Sequence, residues 1–239
     1  MKYLIGLCLF LLLSCCSQGD KIAVLTSDIH QSNLIEINSI DTIYLEDVFI
    51  DSTTIGIKNL NKVEVSNYII KGSNYVDVKL FEKKVAKWKL NQTIHFLKDD
   101  EIGCDARLSD FNNDGLNDIT IVSAVAARAA NEIRRLFIFD PIQNQLREIK
   151  NSENYPNMLY NKELNCIDAF LFYGGCSTVF LRIDGDSLKE FASVELMDGL
   201  TVKEFDQYGN SKIIFEDTTN RAEYIRFRSY NPLKEYEDD

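Results

Sequence analysis

"DFNNDGLNDITIV", Asp110 to Val122, is the stretch whose reading decides the fold. Asp110, Asn112, Asp114 and Asp118 carry side-chain oxygens around Gly115, and alternate positions of a tightly curled loop point inward. A calcium loop held between two helices ends on a bidentate glutamate at its twelfth position. Counted from Asp110 that position is Ile121, and it sits in a period-two apolar run, "DITIV", rather than on a helical face. The loop therefore joins two strands. The expected fold is mostly β, with antiparallel sheets in a sandwich or partial-propeller-like arrangement around one strand-loop-strand calcium site.

The ligand set follows from the spacing. Calcium takes six to eight hard oxygens at flexible geometry. Asp110, Asn112 and Asp114 converge, Gly115 allows the sharp turn, Leu116 offers its backbone carbonyl, and Asp118 closes the site directly or through water. Three carboxylates so crowded repel one another, and a cation relieves the repulsion. The plainer reading of the same letters is an Asx-rich hairpin loop without metal.

Working outward, short apolar runs of period two recur. "IYLEDVFI", "TIGIKN", "VEVSNYII", "YVDVKLF" and "QTIHFL" precede the loop; "DITIVSAV", "RLFIFD", "CIDAFLFY", "STVFLRID", "SLKEFASVEL", "SKIIFED" and "EYIRFR" follow it. Turns are expected at Asp140, Pro141 and Asn144 and at Asp184 and Gly185. "SAVAARAANEIRRL" is rich enough in alanine and arginine for a short helix or helical turn. "FEKKVAKWKL" reads as a strand pair turning at Lys83 and Lys84. No repeat of 20 to 50 residues is visible.

The chain opens "MKYLIGLCLFLLLSCC", one positive charge followed by an apolar run too short to span a bilayer, the layout of an export signal over residues 1–14. "LLSC" resembles the bacterial lipobox, which makes Cys15 the expected lipidation site and membrane anchor; the alternative is an ordinary cleaved signal. Residues 15–33 read as anchor and linker. Residues 34–230 read as a single mostly β domain, in which 34–74 form a partly separate sheet. The tail 231–239 is polar, acidic and expected to fray.

With 37 acidic against 26 basic side chains, the net charge is −11, which disfavours nucleic acid as a partner. Beyond Cys15 the cysteines are Cys16, in the tether, and Cys104, Cys166 and Cys176. "CIDAFLFYGGCSTVFLRI" reads as a hairpin through Gly174 and Gly175, with Tyr173 opposite Cys176 and Cys166 opposite Ile183, too far apart to bond each other. A disulfide from Cys104 to Cys166 or Cys176 is then favoured, and zinc is a weak alternative.

A wider pattern surrounds the loop. Asp-x-Asn-x-Asp-Gly-x-x-Asp followed by "ITIV" resembles the strand-loop-strand calcium sites of integrin-like FG-GAP and VCBS repeats. Together with "YVDVKLFEKKVAKWKLNQTIHF", "RLFIFDPIQNQLREI" and "STVFLRIDGDSLKEF", residues 75–195 resemble periplasmic lipoproteins carrying a single such loop. That group includes immunity-type inhibitors of peptidoglycan-cutting lysozymes. The resemblance implies an extracytoplasmic lipoprotein, periplasmic or surface-facing, with calcium as its ion and a lysozyme-like enzyme as a protein partner.

Three function classes are set side by side. A lipid-tethered binding or inhibitor module is favoured, with loops around "SAVAARAANEIRR" making the contact; an acidic inhibitor is steered toward basic lysozymes. A glycan-binding or assembly component is the alternative, drawing on Trp88 and the tyrosines. An enzyme is disfavoured, since the chain lacks G-x-S-x-G, HExxH and a glycine-rich phosphate loop. His30 falls in the linker, and His95 alternates within a strand as a solvent-facing or satisfied side chain.

Overall fold

The apolar runs divide into two kinds. In "NKVEVSNYII" every second residue is buried, whereas in "DITIVSAVA" and "CSTVFLRID" six successive residues are buried. Alternation marks a sheet with one wet face, and continuous burial marks a sheet covered on both. A computed structural model, describing residues 42–98, 102–219 and 224–236, shows why both kinds occur.

The strands are laid down as successive antiparallel meanders. The first sheet holds β1 (Ile43–Asp51), β2 (Asn61–Ile70), β3 (Ser73–Lys84) and β4 (Lys87–Lys98), and the second β5 (Arg107–Ser109), β6 (Asp118–Ala126), β7 (Asn131–Asp140) and β8 (Gln145–Ile149). The third runs in order from β14 (Ser211–Asp217) through β13 (Leu200–Phe205), β12 (Ser187–Leu196), β11 (Cys176–Asp184) and β10 (Cys166–Phe172) to β9 (Leu159–Asn161). A last hairpin joins β15 (Phe227–Tyr230) and β16 (Leu233–Glu235).

Three cores stack these layers. Val63, Val65, Val76 and Val78 of the first sheet pack on Ile119, Ile121, Phe137 and Phe139 of the second. The other face of the second sheet, Leu136 and Ile138, meets Ile167, Ala169, Val179 and Leu181 of the third. The third sheet's far face, with Phe170, Phe180 and Val194, is covered by Phe227, Tyr230 and Leu233 of the last hairpin. The fold is thus mostly β, built of antiparallel sheets packed face to face, with no closed barrel among the described residues.

Several sequence expectations change. "TIGIKN" is a turn-rich connection instead of a strand, because the Asp51 carboxylate accepts the amides of Thr53, Thr54 and Ile55 and caps the chain out of the ladder. The β3–β4 turn falls at Val85 and Ala86, Val85 taking φ of 58°, two residues past the expected lysines. The boundary drawn between 74 and 75 lies inside β3, and the first sheet shares its core with the second. Across the β10–β11 hairpin Phe172, not Tyr173, pairs with Cys176, so the register is one residue off the expected one. Tyr173, Gly174 and Gly175 all belong to the loop, and a side chain on Gly175 would run into the Leu196 carbonyl.

The tail is also partly ordered: residues through Glu235 pair in the last hairpin. Its anchor is Asp168, fully buried on β10, which accepts 2.7 Å from Arg226 Nε, 2.5 Å from the Tyr236 hydroxyl and 2.9 Å from Asn161 Nδ2. A buried carboxylate is tolerated when it is paired and hydrogen-bonded in this way.

Candidate metal centre

The loop between β5 and β6 is curled by two residues in the left-handed region, Asn113 at φ 59° and Gly115 at φ 84°. Asn tolerates that region and Gly adopts it freely. The side chains then fold back on the loop's own backbone. Asp110 accepts from the amides of Asp114 at 3.2 Å and Gly115 at 2.8 Å. Asp114 accepts from the Leu116 amide at 2.8 Å and from Asn112 Nδ2 at 2.8 Å, and the Asn112 oxygen accepts from the Asp114 amide at 3.2 Å.

Asp118 does something different. It is fully buried, and its two oxygens accept the amides of Phe111 and Phe139, each at 2.8 Å. One carboxylate therefore ties the start of the loop to β7. Burial pushes its pKa up to about 7; the two amides oppose that shift, and the negative charges of Asp114 and Asp110 add to it.

The loop is seated on both inner cores. Phe111 is buried with Leu136 and Ile138, while Leu116 packs on the cluster of Ile119 and Phe139. On its outer side the β1–β2 connection closes in. The Gly56 amide donates to the Asn117 carbonyl at 3.0 Å, and Asn117 Nδ2 donates to the Thr54 carbonyl at 3.2 Å. Gly56 has φ of 51°, and a Cβ there would lie 2.7 Å from the Phe139 ring. Thr54 to Gly56 were not expected at this site. The "DSTT" preceding them carried the signal, since Asp followed by Thr at the next-but-one position favours an Asx turn over a strand.

As a donor set, Asp110, Asn112, Asp114, the Leu116 carbonyl and Asp118 supply hard oxygens suited to calcium and unsuited to softer metals. Among the described residues no three His, Cys, Asp or Glu side chains are gathered closely enough to hold an ion by themselves. An ion here would take the Asp110 and Asp114 oxygens from the loop amides they now accept, and it would need the neutral oxygens of Asn112 and Leu116. The electrostatics fit a cation. The carboxylates of Asp114 and Asp110 act on Asp118 as like charges.

The other singled-out residues lie apart from the loop. Cys15, its neighbour Cys16 and His30 fall outside the described residues. Cys104, Cys166 and Cys176 form no disulfide with one another. Cys104 is buried in the first core and the other two in the third, so the expected bridge from Cys104 does not form. Burial pushes the Cys104 thiol up to about 11 and the Cys166 thiol up to about 12, which keeps both protonated.

On the wet face of the first sheet, His95 Nδ1 lies 2.8 Å from Asp77 Oδ1 and 3.2 Å from the Tyr68 hydroxyl, with the Tyr75 ring stacked on it at 5.3 Å. His95 is thus exposed and partnered. Trp88 sits by the β3–β4 turn, its ring 5.5 Å from Lys83 Nζ. "SAVAARAANEIRRL" forms the end of β6, a short 3-10 turn at Ala127–Ala129 and the start of β7, so the helical turn, of the two expected forms, is the one found. No described helix is long and apolar enough to cross a membrane.

No family model matches the chain, and no curated protein does. Among solved structures, a type IV secretion system related protein from Xanthomonas is similar over 70% of this chain and 93% of that chain, at 12% identity and a TM-score of 0.45.

Proposed function

We propose that this protein is a lipid-anchored, extracytoplasmic calcium-binding module that binds or inhibits a protein partner and has no catalysis of its own. The observation that carries the calcium reading is Asp118: a fully buried carboxylate whose charge is opposed by two more carboxylates, Asp114 and Asp110. Calcium would offset the three like charges and tie β5 to β6. Asp118 would hold it in register with β7, Asp110 and Asp114 would close over it, and Gly115 would keep the turn tight. The family-like arrangement of the loop between strands supports kinship with single-loop FG-GAP and VCBS lipoproteins, and through it the lysozyme-like partner. Cys15 is the proposed anchor, on the export-signal pattern of the sequence.

The test is thermal unfolding with calcium and with excess EGTA. Occupancy at ten times the dissociation constant stabilises by about 1.4 kcal/mol, and Asp114→Ala should abolish the shift. An absence of any calcium-dependent shift in the unaltered protein would remove the reading. Inhibition of lysozyme-type enzymes, measured with purified peptidoglycan, tests the partner class.

A glycan-binding role is the second reading, favoured by the row formed by Leu45, Tyr68, Tyr75 and Leu97 across the wet face of the first sheet. Sedimentation with purified sacculi, lost on Tyr75→Ala, would select it over the first.

A further inference from the structure

The far end of β6 carries a turn that the calcium reading does not use. Ala127, Arg128 and Ala129 take φ of 50°, 56° and 69°, three successive non-glycine residues in the left-handed region. Each costs on the order of 1–2 kcal/mol, so the surroundings must impose the shape. Two asparagines fix the residues that follow the turn. Asn131 donates its Nδ2 to the Phe172 carbonyl at 2.9 Å and accepts the Phe172 amide at 3.0 Å. Asn157 donates to the carbonyls of Ala130 at 2.9 Å and Phe170 at 2.8 Å, and accepts the Glu132 amide at 3.0 Å. The turn is thereby bolted to the β10–β11 hairpin.

Between them lies an open cavity of about 570 Å³, lined by Arg128, Ala130, Phe172, Tyr173, Gly174 and Tyr224. Tyr173 is 43% and Tyr224 67% exposed. The Phe172 and Tyr224 rings meet at 5.6 Å. Arg128 is exposed and, among the described residues, has no ion pair, hydrogen bond or ring contact. The other described arginines each face an acid, a carbonyl or a ring. A strained, clamped turn thus presents an unpaired guanidinium beside two exposed tyrosines.

We infer that this tip docks a protein partner by taking one of its acidic side chains. Arg128 forks the carboxylate, and Tyr173 and Tyr224 cover the apolar atoms next to it. Arginine and tyrosine are the side chains that most often carry interface energy. A net charge of −11 repels small free anions, so the carboxylate arrives on a neutral or basic protein that presents an acidic residue locally. The inference rests on the reading of the protein as a binding module, and it supplies the contact surface.

The test is an NMR titration of the full chain with twelve-residue, end-blocked peptides holding a central phenylalanine flanked by two Glu, two Gln or two Lys. The Glu peptide should shift the Arg128 Nε–H and the Tyr173 and Tyr224 ring signals, and bind at least tenfold tighter than the Gln peptide. Arg128→Gln should erase that preference, and Arg128→Lys should keep part of it. Both replacements lie on an exposed side chain, so folding is not at stake. Equal binding of the Glu and Gln peptides, or no shift at these three residues, would overturn the inference. If the protein still inhibits a lysozyme-type enzyme on purified peptidoglycan in that case, the binding-module reading survives and only the docking surface is lost.

Discussion

Strand β6 has a left-handed turn at each end, and the two turns use the same backbone region for opposite purposes. At its start, Asn113 and Gly115 curl the chain so that Asp110, Asp114 and Asp118 accept backbone amides. At its end, Ala127 to Ala129 hold the same conformation with none of them buried and no side chain of their own capping the turn. The first turn is stabilised from within by its sequence. The second is flanked by Asn131, at the start of β7, and Asn157, in the loop before β9, which tie the residues after it to β10. Residue choice therefore separates a turn that serves the fold from one that the fold holds in place.

Substitutions at the two ends should move stability in opposite directions. The largest expected effect is at Asp118. Asp118→Ala leaves the amides of Phe111 and Phe139 buried without an acceptor, at about 1–3 kcal/mol each, and should lower the urea midpoint whether or not calcium is present. Asp118→Asn keeps one acceptor and should fall between.

Next comes acidity. The folded-state pKa of Asp118 is raised to about 7 from an ordinary 3.8. Between those values the native state holds the proton more tightly than the unfolded chain, so its contribution is greatest below pH 4 and is lost as pH rises toward 7. In EGTA, Asp118→Asn should flatten that part of the stability profile, as followed by urea unfolding at each pH.

The smallest effect belongs to the far turn. Ala129→Gly relieves a left-handed alanine and should raise stability by up to about 1 kcal/mol. A loss there would mean that the methyl group makes a contact which offsets the strain, and the comparison would weaken accordingly.

Much of the architecture was legible because burial writes itself into the order of residues. "VEVSNYII" alternates because one face of its sheet is wet, and "LFIFD" does not because both faces of β7 are covered. The acidic loop was legible for a related reason, since its side chains act on amides two to five residues away. What escaped was set by distant partners. Phe139 lies 21 positions from Asp118, and Thr54 lies 63 from Asn117. The alanine-rich turn has good helical composition, yet the antiparallel pairing of β6 with β7 leaves only a few residues to reverse the chain. The layer decides which thiols can meet, and Cys104 lies in a different layer from Cys166 and Cys176, a separation that local sequence does not encode.

The last hairpin has a consequence for biosynthesis. Each sheet is a run of neighbouring strands, so a chain released from its N-terminus can close the layers in the order it is read. The aromatic far side of the third layer, however, stays bare until Phe227, Tyr230 and Leu233 arrive and Tyr236 reaches Asp168. A nascent chain cut short anywhere before those residues keeps an open greasy flank, a mark by which quality-control proteases could tell the unfinished product from the complete one.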